Sequence, residues 1–497
     1  MSSMSHKHLT QQEFDEAARI SLDALNSCQP LSLKDRLSIP VQEMPSQDPI
    51  IRRENTKEVA LGYTENQAKV EALRCLQCKN APCINGCPVR IDIPRFIKEI
   101  ADGDFQKAIE VIKENSLLSA VCGRVCPQEV QCQLYCTVGK SLKNVLKSVS
   151  IGRLERFVAD REREEGNIKA PQGKPDTSKR VAVVGSGPAS IVVAADVRRE
   201  GHSVTLFEAF HKTGGVMTYG IPEFRLPKSI VKSEIDTLKA MGVEIKTNFV
   251  VGKTRKLTDL IEKDGYEAVF IGTGAGLPKF MNIEGENLVG VYSANEFLTR
   301  ANLMRAYDRG MAATPIAMSK KVAVVGGGNV AMDSARTAVR LGAEEVYIIY
   351  RRTENEMPAR VEEIAHAKEE GVIFHTLVNP KRILGKLQAE AIECLRYELG
   401  EPDDSGRRRP VEIPGSEFVM NVDTVIIAIG NESNPLISQT TPGLKCNKWG
   451  NIIVDENCKT SMDKVYAGGD IVLGAATVIL AMGQGRIAAR SINKLLA

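Results

Sequence analysis

The 497 residues exceed one ordinary core, and 43% apolar with 26% charged residues is the balance of a globular chain of roughly two to four domains. The net charge is only +3, with acids and bases mixed along the chain, which excludes the basic footprint of a nucleic-acid binder or of a protein drawn to an anionic membrane. Apolar stretches are short and broken by Gly or charge, so no membrane helix is expected; the opening MSSMSHKHLTQQEF lacks a signal peptide's apolar core, and the expected compartment is the reducing cytoplasm.

Thr10 and Glu13 form a capping box, and Phe14, Ala18, Leu22 and Leu25 share one face, which predicts an amphipathic helix over 9–26. The following stretch carries Pro30, Pro40, Pro45 and Pro49 and reads as an extended arm, closing a first segment at 1–56. Thr64 and Gln67 open a helix to Arg74 that delivers Cys75, Asp92-Ile93-Pro94 opens one to about Ala101, and another is expected from Asp104 to Glu114. Helices around cysteine turns make a small all-α domain at 57–165, and the polar 166–179 reads as a linker.

Eight of the twelve cysteines fall in this helical domain, as Cys75-x2-Cys78-x4-Cys83-x3-Cys87 and Cys122-x3-Cys126-x5-Cys132-x3-Cys136, with Pro88 and Pro127 after two of them. Structural zinc takes paired C-x2-C hooks, four ligands per ion. The irregular gaps and Cys-Pro endings point instead to iron–sulfur clusters, in which the cysteine before a proline crosses to the second cluster. Cys28, Cys394, Cys446 and Cys458 are scattered and read as ordinary packing thiols.

From Arg180 short β-rich runs alternate with helical stretches: 181–185, 204–208, 268–274, 322–326, 346–350 and 424–430. This is the pattern of doubly wound α/β units, and two copies of V-A-V-V-G about 140 residues apart indicate an internal duplication. The first copy runs into Gly185-Ser186-Gly187-Pro188-Ala189-Ser190, a dinucleotide fingerprint in which the turn lets a pyrophosphate meet a helix N-terminus. Glu208 ends the next strand 23 residues after Gly185, where a carboxylate accepts from ribose hydroxyls. Ser190 replaces the third glycine and is expected to cost some stability.

The second copy runs into Gly326-Gly327-Gly328-Asn329-Val330-Ala331, and its next strand ends in Tyr350-Arg351-Arg352. Two guanidinium groups in place of the carboxylate supply donors for a 2′-phosphate, so NADP(H) is expected over NAD(H); the alternative is that both arginines face solvent. Near the C-terminus, a strand ending at Gly469-Asp470 would offer that carboxylate to a flavin's sugar chain. A helix starting near Ala476 or Thr477 would aim its positive end at the flavin.

The segments CLQCKNAPCINGCPVRIDIPRFI, VCGRVCPQEVQC, IGRLERFV, GSGPAS, GGVMTYGIPEFRLPK, GGGNVAMDSARTAVRLGA and GGD…ATVILAMGQGR resemble the NADPH-dependent glutamate synthase small (β) subunit family. Its relatives include the large subunit of electron-bifurcating ferredoxin:NADP transhydrogenases and the N-terminal half of dihydropyrimidine dehydrogenase. The likeness covers about residue 60 to the end. It implies an α/β fold of glutathione-reductase type: an all-α domain with two 4Fe–4S clusters, then an FAD domain (180–315 and 431–497) interrupted by an NADPH domain (316–430).

Carried over by position, one cluster uses Cys75, Cys78, Cys83 and Cys136. The other uses Cys87, Cys126 and Cys132, with Glu155 as a non-cysteine fourth ligand, although from the residues alone Cys122 is the simpler fourth. FAD is expected on Gly185, Gly187, Pro188, Ala189, Glu208, Gly214, Gly215, Gly272, Thr273, Gly274, Gly469, Asp470, Ala476 and Thr477, with Tyr219-Gly220-Ile221-Pro222 as a loop over it. NADPH is expected on Gly326, Gly328, Asn329, Val330, Arg351 and Arg352. No acid–base residue is expected, since hydride transfer needs alignment.

The implied activity is oxidation of NADPH, with electrons passing through FAD and the clusters to a partner, a glutamate synthase large subunit or a ferredoxin-type reductase subunit. By the same likeness, glutaminase halves begin with a nucleophilic cysteine whereas this chain begins Met1-Ser2-Ser3, so glutamate formation is expected elsewhere. Alternatives are a transhydrogenase or sulfide dehydrogenase large subunit, a dihydropyrimidine dehydrogenase partner, or an electron-wiring scaffold without turnover.

Overall fold

The computed structural model describes residues 8–497 apart from 309, 311, 313, 404 and 405. The opening Met1-Ser2-Ser3 lies outside them. Thr10 caps the helix Gln11–Asn26 through a reciprocal bond with Glu13. The arm that follows is not extended throughout. Ser32 and Asp48 cap two short helices, Leu33–Ser38 and Pro49–Arg52, because serine and aspartate side chains satisfy the free N–H groups of a turn even between prolines. The arm lies on two domains: the Arg36 guanidinium donates to the carbonyls of Leu73 and Cys75, and Arg52, fully buried, pairs with Glu369 and Glu370.

The helices Glu65–Leu73, Ile93–Asp102, Phe105–Lys113, Ser119–Val125 and Ile151–Glu164 form the cysteine domain. Its core, with Ile97, Leu118, Val121 and Leu154, is continuous with that of the next domain through Val181, Val193, Met482 and Ile492. Among the described residues no helix is long and apolar enough to cross a membrane.

Two five-stranded parallel sheets follow, with matching order. In the first, 465–467, 268–271, 180–184, 203–207 and 244–246 lie side by side; in the second, 291–293, 424–427, 321–325, 345–350 and 373–376 do. Each glycine turn leaves the central strand, at the point where the strand order reverses and ligands bind in such sheets. The strand Val465–Ala467 returns to the first sheet from the far end of the chain, so the second unit is inserted in the first. The two connections between the units pair as short strands, Leu277–Pro278 with Asn431–Glu432.

Two expectations need correction, and one element was not foreseen. The boundary at 315/316 falls inside the second unit, because Val291–Ser293 pairs with Thr424–Ile427. The second unit also carries an antiparallel sheet that the sequence reading missed, built from Val378–Leu384, Ala391–Pro402, Arg408–Glu412 and Phe418–Asn421. Finally, the strand near the C-terminus ends at Ala467, not Asp470. Gly469 takes φ +79°, and Asp470 opens a short helix to Leu473.

Candidate functional site: two nucleotide turns and a bank of thiols

The first glycine turn works by close approach. Gly185 has φ +96°, and a Cβ there would stand 2.5 Å from the carbonyl oxygen of Gly272. Pro188 begins the helix Pro188–Arg199, with Gly187 as its N-cap. Ser190 fits where a glycine was expected because it faces Gly272, which has no side chain; its buried hydroxyl donates to the Gly272 carbonyl at 3.4 Å. Glu208 is buried at the end of the second strand, accepting from the Phe210 N–H at 2.8 Å and from the Ser186 hydroxyl. Ser186 also accepts from the Gly214 N–H at 3.0 Å and so ties the turn, the strand end and the Gly214-Gly215 loop together. Nothing in a G-x-G pattern singles out its variable residue. Burial raises the Glu208 carboxyl above its ordinary range and pushes Asp470 up to about 6.

These elements enclose a cavity of about 440 Å³ lined by Gly185, Gly187, Pro188, Ala189, Glu208, Gly215, Gly272, Thr273, Gly274, Gly469, Asp470, Ala476 and Thr477. Gly214 stands behind the wall. Val216, Tyr219, Gly220 and Ile221 add one side of it. Thr477 caps the helix Val478–Leu496, whose N-terminus therefore opens on the cavity. The Thr273 hydroxyl is buried without a hydrogen-bond partner, which suits a site built for a polar ligand.

Two further walls come from other domains. Asn329, Val330 and Asp333 arrive from the second nucleotide unit, and Val125 and Pro127 arrive from the cysteine domain on either side of Cys126. Arg225 beside the cavity clamps both oxygens of Asp333 at 2.7 Å. Gln131, one residue before Cys132, donates to Thr477 Oγ1 at 3.4 Å.

The second turn repeats the first. Gly326 has φ +146°, where a Cβ would stand 2.3 Å from the Ala428 carbonyl oxygen, and Gly328 is the N-cap of the helix Asn329–Arg340. The Asn329 side chain accepts from the Arg360 N–H at 3.0 Å. The expected arginine pair splits. Arg351 is exposed at the strand end, whereas Arg352 is buried, held by Asp403 at 2.6 Å and the Arg408 carbonyl at 2.8 Å. Arg352 is thus committed to the antiparallel sheet that the sequence reading missed, and of the two only Arg351 presents its side chain to solvent at the strand end.

The cysteines gather in two adjoining groups, and all twelve are free of disulfides. Cys75, Cys78, Cys83 and Cys136 lie within electrostatic reach of one another. So do Cys87, Cys126, Cys132 and Glu155. Gly123 brings the last set together: a Cβ there would stand 2.6 Å from the Arg156 nitrogen, so the helix Ser119–Val125 can press against Ile151–Glu164 and bring Glu155 within electrostatic reach of Cys87, Cys122 and Cys132. Cys122 is also near, hydrogen-bonded with Cys126 and 3.5 Å from Met482 Sδ.

Among the described residues, no three His, Cys, Asp or Glu side chains converge as they would on one ion. Burial pushes Cys75 and Cys87 up to about 11, Cys83 up to about 12 and Cys132 well above its usual range, and pushes Glu155 up to about 8. Glu155 Oε1 is buried with no hydrogen-bond partner. A set of buried thiols and one orphaned carboxyl is stable as anions only beside compensating positive charge, which bound iron would supply.

Comparison with known proteins agrees with this geometry. Residues 52–167 match the family described as dihydropyrimidine dehydrogenase domain II, 4Fe-4S cluster, and residues 179–485 match the family of pyridine nucleotide-disulphide oxidoreductases. The chain is 35% identical over 461 residues to the glutamate synthase (NADPH) small chain of Azospirillum brasilense, covering 91% of this chain and 94% of that one. It belongs to the glutamate synthase small-chain family. The NADP(+)-dependent formate dehydrogenase subunit beta of Moorella thermoacetica is 41% identical over 84% of this chain, which spans only 60% of that relative's length. Among solved structures, FprA of Mycobacterium tuberculosis in complex with NADPH aligns with a TM-score of 0.54 at 22% identity, covering 64% of this chain and 85% of that one. That likeness concerns the fold of the two nucleotide units.

Proposed function

We propose that this protein is the NADPH-oxidising, electron-delivering subunit of a larger enzyme. The observation that carries the reading is the shared cavity: Asn329 and Val330 from the NADP unit and Val125 and Pro127 flanking Cys126 form walls of one flavin-sized space. Donor side and exit side therefore meet at one place. The pyrophosphate of FAD would rest on the turn Gly185–Ala189, with Glu208 on its ribose and Asp470 and the Thr477 helix end on the remainder. NADPH would rest on Gly326–Val330, with Arg351 at its 2′-phosphate. Cys75, Cys78, Cys83 and Cys136 would hold one 4Fe–4S cluster, and Cys87, Cys126, Cys132 and Glu155 the other.

The bound groups supply the conversion of a two-electron donor into single-electron transfers. The residues themselves orient and insulate. The Asp333–Arg225 clamp fixes the NADP helix against the flavin unit, and Tyr219, Ile221 and Val125 keep water from the space between. Small and beta subunits among the relatives support a partner subunit that receives the electrons, and the thiol chemistry supports a cytoplasmic setting. The test is anaerobic titration of the purified protein. NADPH should bleach the flavin band at about 450 nm, and NADH should do so far more slowly; equal rates with both nucleotides would remove the role given to Arg351.

A further inference from the structure

We propose that the surface over Cys75, Cys78, Cys83 and Cys136 is a docking face for an acidic one-electron redox protein, with Leu134, Tyr135 and Leu146 as its apolar centre and Lys140, Lys143 and Lys147 as its cationic rim. The inference rests on the functional reading above and names the chemistry of the partner. Burial differs between the two cysteine sets. Cys87, Cys126 and Cys132 are buried, with Cys126 between two residues of the cavity wall, whereas in the other set Cys75, Cys78 and Cys83 are partly exposed and only Cys136 is buried. Electrons leaving the flavin side would reach solvent at the second set.

That exit is surrounded by uncovered apolar surface. Leu134, Tyr135 and Leu146 are 48%, 42% and 57% exposed. The segments that carry them are tied together, with the Ser148 hydroxyl donating to the Gln133 carbonyl at 2.9 Å. Tyr135 abuts Gly86, where a Cβ would meet its ring at 2.5 Å, and Lys140 Nζ lies 5.6 Å from the centre of the same ring. The Asn144 N–H donates to the Gly139 carbonyl at 3.0 Å, which folds the Val145–Lys147 turn back onto the helix Thr137–Ser141. Thr137 Oγ1 in turn is 3.3 Å from Cys78 Sγ.

Charge selects the partner. No Asp or Glu lies between Glu71 and Asp92 or between Glu129 and Glu155, although the whole chain is only +3. Lys79, Lys140, Lys143 and Lys147 are exposed, and among the described residues none is paired with a carboxylate. On the neighbouring helices the pattern is the opposite: Arg95 pairs with Glu114, Lys107 with Glu99 and Lys69 with Glu65. A cationic rim around an apolar centre steers an acidic protein and orients it for a brief dry contact. Each NADPH yields NADP+, one proton and two electrons, so two one-electron proteins are reduced per turnover.

The experiment uses the full-length holoprotein with NADPH and three acceptors: cytochrome b5 as an acidic haem protein, cytochrome c as a basic one, and menadione as an uncharged small acceptor. Wild-type cytochrome b5 reduction should fall with rising salt, and the triple variant Lys140→Glu, Lys143→Glu, Lys147→Glu should lower its kcat/KM by about ten-fold or more at low salt. Cytochrome c reduction should rise in the same variant, and menadione reduction should hold within about two-fold. Leu146→Ser should slow cytochrome b5 while leaving its salt dependence in place. Cytochrome b5 rates indifferent to salt and to the triple variant would overturn the proposal. So would lysine-dependent sedimentation with phosphatidylserine vesicles alongside that indifference, which would give the face to a membrane instead. Failure of NADPH to reduce menadione would instead remove the functional reading, and the docking face with it.

Discussion

The two nucleotide turns are copies in backbone and opposites in charge. Gly185 and Gly326 both sit in left-handed conformations with a carbonyl of the neighbouring strand where a Cβ would go. What differs is the residue one strand further on: Glu208, buried and bonded to Ser186, against Arg351 in solvent beside Arg352 locked to Asp403. On the proposed reading both turns would cradle a pyrophosphate, and the strand end would select the sugar. The surroundings diverge in the same sense. At the first site the buried carboxyls of Glu208 and Asp470 have no cation partner among the described residues, whereas the second unit is braced by a ladder of ion pairs: Arg225 with Asp333, Arg336 with Glu363 and Glu370, and Arg52 with Glu370.

The strongest break in the comparison is to fill a turn. Gly185→Ala and Gly326→Ala should each cost at least about 2 kcal/mol locally, through backbone strain and collision with the facing carbonyl. The products should differ. Gly185→Ala should be isolated without flavin colour, while Gly326→Ala should keep its colour and lose reduction by NADPH, which an absorbance spectrum before and after NADPH separates. Next comes the arginine pair. Arg351→Glu should lower the NADPH:NADH ratio of kcat/KM by about 10–100-fold, the worth of a charge-assisted phosphate contact. Arg352→Ala should affect both nucleotides alike and reduce stability by roughly 1–2 kcal/mol, since it loosens the antiparallel sheet.

Two carboxyls of these surroundings, Asp470 and Glu370, should respond to acid in opposite directions. Burial raises Asp470 to about 6 in the folded protein, so without flavin its contribution is full below the ordinary carboxylate range and is lost as pH climbs towards 6. Burial works against Glu370 too, but Arg336 and Arg340 outweigh it and hold the carboxyl well below its usual range. Its contribution is full above the ordinary range and is lost only as pH falls beneath it. Hydrogen exchange on flavin-free protein should therefore show the first unit tightening between about pH 6 and 4 while the second keeps its protection until lower pH. The smallest effect should come from Ser190→Gly, within about 1 kcal/mol by melting, because the serine hydroxyl makes one long bond and already fits opposite Gly272.

Much of this was legible in the chain because the signals are local. The capping pairs Thr10/Glu13 and Thr64/Gln67, the two glycine turns and the cysteine runs each declare themselves within a few residues. Features that depend on distant partners did not. Arg52 is one arginine in a proline-rich arm until Glu370 is seen 2.9 Å away. Val291–Ser293 is a three-residue strand whose membership is set only by pairing with Thr424–Ile427, so the unit boundary was drawn too late. The antiparallel sheet hid behind Pro380, Pro402 and Pro410, which argue against strands when read alone but here sit at a register shift and along irregular edges. That hidden sheet also explains why the sequence pattern points Arg352 at a phosphate while Asp403 holds it.

The central claim is that the thiols near the amino end hold iron–sulfur clusters in electrical contact with a flavin that NADPH reduces. The most direct measurement is electron paramagnetic resonance on anaerobically purified protein, frozen after addition of NADPH alone. The account predicts a bleached flavin together with the paramagnetic signals of reduced clusters. Folded protein that lacks iron, or clusters that stay oxidised while the flavin bleaches, would contradict it.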